Sequence, residues 1–109
     1  MRTLRFIVKG QIIEPDPSCD FSGLVPGTVG YLKADFAFSE EWNGCTKVAA
    51  FYSLLGKEYP PQILADGRSC FIPKEALAKQ TFTMKVIGQR SDFKIGTNKI
   101  AIKQDGGGN

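Results

Sequence analysis

A period of two, recurring along the chain, is the strongest constraint on how it can fold. In residues 31–38, Leu32, Ala34, Phe36 and Phe38 fall on one side of an extended backbone and Tyr31, Lys33 and Asp35 on the other. A helix would need apolar residues three and four apart, so the alternation specifies a half-buried strand. Residues 2–9 repeat the pattern, with Leu4, Phe6 and Val8 inward, Arg5 and Lys9 outward and Ile7 the exception. Gln11-Ile12-Ile13 extends this strand beyond Gly10. In residues 81–87 the inward set is Phe82, Met84 and Val86, and in 99–103 it is Ile100 and Ile102. Residues 45–53 are apolar on both faces, Val48, Ala50 and Tyr52 against Cys45, Ala49 and Phe51, which predicts a central strand.

Turn and breaker residues divide these segments. Gly56 opens a hairpin into residues 57–64, an edge strand because Pro60-Pro61 cannot donate to a ladder. Asp66-Gly67 is a turn leading into Ser69-Cys70-Phe71-Ile72. Residues 73–79 begin with proline at a first helical position and continue with helix formers, so they predict one short helix. Ser39 is placed to cap a single turn over Glu40-Glu41-Trp42, with Trp42 folded beneath it as a plug at one end of the core. Pro15, Pro17, Gly23, Pro26, Gly27 and Gly30 exclude helix from residues 14–30, a long excursion with room for one short edge strand. Residues 88–97 read as a polar connection. The expectation is an all-β fold, an immunoglobulin-like β-sandwich of about seven strands with one short helix. At 109 residues there is room for one domain, residues 1–104, and residues 105–109 are expected to form a flexible glycine-rich tail.

Residue types narrow the function. The chain has no histidine, which removes the commonest general base, metal ligand and partner for a nucleophile. Gly23, Gly27 and Gly30 are followed by a strand and lack the lysine of a phosphate loop. Glu40 and Glu41 are adjacent on a turn and diverge, whereas an acid/base pair must converge. Cys19, Cys45 and Cys70 show no C-x-x-C spacing and are expected to stay reduced in a cytoplasm. We therefore expect no catalytic residue, no metal, no cofactor and no enzyme. No apolar run approaches the roughly 20 residues of a spanning helix, and no apolar stretch follows the charged N-terminus as in a signal peptide, so no membrane insertion is expected. The net charge is +3, with cations scattered on outward positions and no aromatic stacking motif among them, so nucleic acid is not the expected partner. Binding to protein remains. Phe21, Leu24 and Val25 are apolar groups on a backbone stiffened by prolines; they either close one end of the sandwich or dock a protein partner, and they are the candidate interaction residues.

Phe36-x-Phe38-Ser39-Glu40-Glu41-Trp42-x-Gly44-x-Thr46-Lys47-x-Ala49-x-Phe51 is followed by Cys70-Phe71-Ile72-Pro73-Lys74-Glu75-Ala76-Leu77 and then by Phe82-x-Met84-x-Val86-x-Gly88, with a closing strand after Thr97-Asn98-Lys99-Ile100. These blocks, within roughly residues 30–103, resemble the N-terminal immunoglobulin-like domain of baseplate upper proteins and related tail or head fibre proteins in phages of Gram-positive bacteria. Residues 11–30 are longer and richer in proline and glycine than in that pattern. The resemblance implies a non-enzymatic structural protein of the virion surface, made in the bacterial host cytoplasm. It implies attachment to other virion structural proteins or a homo-oligomer. The alternative is a small phage-encoded inhibitor that binds a host defence protein or its signalling ligand, with a single-stranded nucleic-acid binder as a third reading.

Overall fold

The alternating segments become strands where their apolar sides can face each other. In this computed structural model residues 1–105 are described, and the strands are β1 (Arg2–Lys9), β2 (Ile12–Pro15), β3 (Leu32–Phe38), β4 (Thr46–Tyr52), β5 (Gln62–Ile63), β6 (Ser69–Phe71), β7 (Thr81–Arg90), β8 (Phe93–Gly96) and β9 (Ile100–Lys103), with one short helix, α1 (Lys74–Leu77). The four-stranded sheet A runs β2-β1-β3-β6, and the five-stranded sheet B runs β5-β4-β7-β8, with β9 also on β7. Leu4, Phe6, Val8 and Phe36 from sheet A meet Ala49, Phe51, Phe82, Met84 and Val86 from sheet B in one buried core. Phe6 and Phe36 lie opposite each other in the ladder and stack at 5.5 Å.

The all-β sandwich is thus present, with more strands than the sequence pattern suggests. The β1–β3 pairing is parallel, and the other strand pairs are antiparallel. Residues 88–97 are no mere connection: β7 continues to Arg90 and β8 returns along it. Residues 57–64 shrink to the two residues of β5 and an isolated bridge at Glu58, since Pro60 and Pro61 interrupt the ladder at the sheet edge. β4 is central, as its two apolar faces predict.

The two poles are closed differently. At one, Trp42 lies fully buried, donates from Nε1 to the Gly10 carbonyl at 2.8 Å and packs 5.0 Å from the Phe38 ring. Gly88 makes room for it, because a Cβ there would sit 2.8 Å from two of its ring carbons. Ser39 does not cap this turn through its side chain. Its hydroxyl accepts from the Gly10 amide at 3.0 Å and donates to Glu41 at 2.9 Å, which ties the turn to the end of β1. At the other pole the long excursion is fastened to α1 and to the end of the last strand. The Gly27 amide donates to Leu77 O at 2.8 Å, and the Asp105 amide donates to Leu24 O at 2.6 Å. The buried Gln104 side chain donates to Leu77 O at 2.9 Å and Lys79 O at 2.7 Å, satisfying carbonyls that the end of a short helix leaves open. Asp105, assigned above to a flexible tail, is therefore held by the domain; residues 106–109 lie outside the described residues.

One corner also links the sheets. Between β8 and β9 the ladder on β7 is carried by Thr97, whose hydroxyl accepts from the Val86 amide at 3.0 Å while its own amide donates to Val86 O at 3.0 Å. Next to it, Asn98 accepts from the Ile13 amide at 3.0 Å and donates from its backbone to Gln11 O at 3.1 Å. The β2 edge is sealed by these contacts: the outward Ile13 donor is occupied, and Pro15 has none to offer.

Candidate interaction surfaces

Phe21, Leu24 and Val25 do not form a common surface. Leu24 is 2% exposed and belongs to the core cluster. Phe21 is partly buried and meets Phe6 edge-on at 5.5 Å. Val25 alone is open, at 50%. The docking patch expected from these residues is corrected accordingly: the hydrogen bonds of Leu24 and Gly27 pull the excursion onto the pole, where Leu24 and Phe21 complete the core while Val25 and Val29 stay exposed.

More extended exposed apolar surface lies on sheet B. On the outside of sheet B, register places Ile63 opposite Val48, Val48 opposite Ile87 and Ile87 opposite Gly96, a row crossing four strands. Its inward neighbours Ala49, Val86 and Gly88 are buried, so alternation turns the row outward. Ile63 is 67% exposed, while Val48 and Ile87 are half-buried. Thr46, Val48, Ile87, Gln89, Arg90 and Ser91 enclose a depression of about 450 Å³ along it. A second apolar feature is the turn after β4, where Leu54 and Leu55 stand exposed next to a groove of about 550 Å³ that Lys57 and Lys79 also line.

Charge sets the outer face of sheet B apart. None of its strands carries Asp or Glu, whereas Lys85, Lys94 and Lys103 occupy outward positions of β7, β8 and β9. Lys85 and Lys99 converge on Tyr52, their ammonium nitrogens 5.8 and 3.9 Å from its ring centroid. Both benefit from the negative face of the ring. Neither has a carboxylate partner among the described residues, where the sole ion pair joins Arg68 to Asp35 through contacts of 3.0 and 3.1 Å. Arg90 covers Phe93 at 4.3 Å and donates to Asn43 O at 2.9 Å, which fixes a further cation beside the depression.

This basic face was not singled out from the sequence, because its lysines are far apart in the chain and meet only through strand register. A signal was nevertheless there: between Glu75 and Asp105 the only acidic residue is Asp92, against six cations, Lys79, Lys85, Arg90, Lys94, Lys99 and Lys103.

Other chemically notable groups are held in structural roles. Burial pushes the Cys70 thiol up to about 12. The Cys19 sulfur accepts from the Arg5 amide at 3.3 Å along the edge of β1. The Ser69 hydroxyl and the amides of Arg68 and Ser69 hold the Asp66 carboxyl down at about 2. Among the described residues no three His, Cys, Asp or Glu side chains are grouped to hold a metal ion, and no helix is long and apolar enough to cross a membrane. Comparison of the chain with protein-family models, curated proteins and solved structures finds no match.

Proposed function

We propose that the chain is a non-enzymatic attachment module of a phage virion, lodged on other structural proteins at the tail, baseplate or head surface. The observation that carries the binding role is the Ile63–Val48–Ile87 row, an apolar strip across sheet B that remains partly open to solvent. Apolar surface of this kind, set among cations, suits a protein partner that covers it. The phage assignment is supported by the resemblance of the Phe36–Phe51 and Cys70–Leu77 blocks. Those blocks carry the turn at Trp42, the entry to α1 and the centre of sheet B, so they are framework features, and the activity sits on a surface built over them.

Mass spectrometry of purified virions tests the assignment. The chain should be present at a fixed stoichiometry to a major structural protein. Absence from particles, with the protein soluble in infected-cell extract, would overturn it in favour of an inhibitor acting inside the host.

A further inference from the structure

We propose that the outer face of sheet B docks an acidic protein segment, with carboxylates seated at Lys85 and Lys99 and an apolar side chain entering the depression between Val48 and Ile87. This deepens the reading of the chain as a module that binds other proteins, and it names the chemistry of the partner.

Electrostatics selects the sign. Lys85 and Lys99 place two ammonium groups on the one Tyr52 ring, and Lys94, Lys103 and Arg90 lie on the same sheet. Of the acids near this end of the sheet, Glu58 is bridged to the Tyr52 backbone and Glu14 follows Ile13 on β2, which is hydrogen-bonded to Asn98; neither pairs with these lysines among the described residues. Two like charges held close together without a counter-charge repel, and a partner carboxylate between them relieves that repulsion. A second copy laid symmetrically face to face here would oppose lysine to lysine, which disfavours a symmetric dimer through this face, and the proposed occupant is a different, acidic protein.

The apolar row selects protein over nucleic acid. A single strand of nucleic acid is held by aromatic platforms on which its bases stack. Here Tyr52 is only 8% exposed beneath its two lysines, and the open residues of the row are aliphatic. Lys85 and Ile87 share one face of β7 two residues apart, about 7 Å at the strand rise. An extended segment bearing an acidic residue and an apolar residue two positions apart repeats that spacing and meets both.

Backbone amide NMR shifts on titration give the test. The first probe is a synthetic peptide with Glu and Val at alternate odd positions and Ser between them; the second has Lys in place of Glu; the third is a twelve-nucleotide oligothymidylate. The acidic peptide should shift amides in β4, β7 and around Lys99, and the basic peptide should not. Lys85→Glu combined with Lys99→Glu should weaken acidic-peptide binding roughly tenfold or more, with Ile87→Ser also weakening it. If the double reversal disturbs the fold, Lys85→Ala with Lys99→Ala is read in its place, and the wild-type shift map stands independently. No shifts at millimolar acidic peptide, shifts confined to another face, or tighter binding of oligothymidylate on this face would each overturn the proposal. Detection in virions without acidic-peptide binding defeats this inference alone; binding without presence in virions defeats the phage assignment alone.

Discussion

Replacing Gly88 with alanine adds one methyl group at the most tightly packed glycine among the described residues. The new Cβ would stand 2.8 Å from two carbons of the Trp42 ring and 3.1 Å from the Cys45 Cβ. Carbon atoms rest at about 3.5–4.0 Å, so the ring must retreat by roughly 0.7–1.2 Å. It has little freedom to do so. Its Nε1 donor is fixed on Gly10 O at 2.8 Å, and Phe38 lies 5.0 Å from it. Overpacking of a well-filled site costs about 1–3 kcal/mol, and the anchored ring places this case near the upper end. At about 4 °C per kcal/mol for a domain of this size, the thermal midpoint should fall by roughly 8–12 °C. Gly96→Ala is the control, because its nearest contact would be 3.9 Å away, and its cost should stay within about 0.5 kcal/mol. Urea unfolding followed by the fluorescence of Trp42, the only tryptophan, measures both variants. Trp42→Phe, followed by circular dichroism because it removes the fluorophore, should lower the cost of Gly88→Ala when the two are combined, since the smaller ring vacates the contested space. Equal midpoints for Gly88→Ala and Gly96→Ala would refute the claim that Trp42 is pinned against β7.

Leu24→Ala should cost about 2–5 kcal/mol and Val25→Ala within about 0.5, by thermal unfolding; similar losses would contradict the placement of the excursion. The Asp66 carboxyl falls from its usual 3.8 to about 2 on folding, so its stabilising effect is complete above pH 3.8 and is lost as pH drops toward 2. Asp66→Asn should flatten the acid limb of the stability curve in that window, and an unchanged limb counts against the Ser69 and Arg68 hydrogen bonds. Because burial raises the Cys70 thiol to about 12, a thiol reagent at pH 8 should leave Cys70 unmodified until denaturant is added. Rapid labelling of Cys70 in the native protein, located by peptide mapping, would contradict that burial.

Where local alternation was strong, the strands could be read directly. Leu32, Ala34 and Phe36, and Phe82, Met84 and Val86, are buried on the sides the period assigns to them. β8 is hidden in the sequence because the outward cross-strand pair Gln89 and Lys94 and the glycines at 88 and 96 resemble a loop. Gly88 is small because of Trp42, a residue that reaches it only through the tertiary fold. The parallel pairing of β1 with β3 likewise depends on a partner lying beyond the whole excursion. Leu24 shows why a docking patch and an end plug look alike in sequence: both need apolar groups on a proline-stiffened loop. The choice between them is made by Leu77 and Asp105, far along the chain. The basic face was recoverable as a charge bias between residues 76 and 104, but the convergence of Lys85 and Lys99 on Tyr52 required the register of β4 with β7.

Arg2 and Asp105 stand at opposite extremes of the described chain, yet both are fastened to one short run of backbone. The Arg2 guanidinium donates to the carbonyls of Asp20 and Ser22, and the Asp105 amide donates to that of Leu24. The polypeptide therefore enters and leaves by the same pole, opposite the one that Trp42 fills. A scaffold holding the domain by either extremity grips this pole, directs the Trp42 turn outermost and leaves both sheet faces accessible from the side. The same proximity makes the order of the segments negotiable. A short linker joining the two extremities, with the chain reopened at the exposed Leu54-Leu55 turn, would preserve the β1–β3 and β4–β7 ladders in a circularly permuted protein.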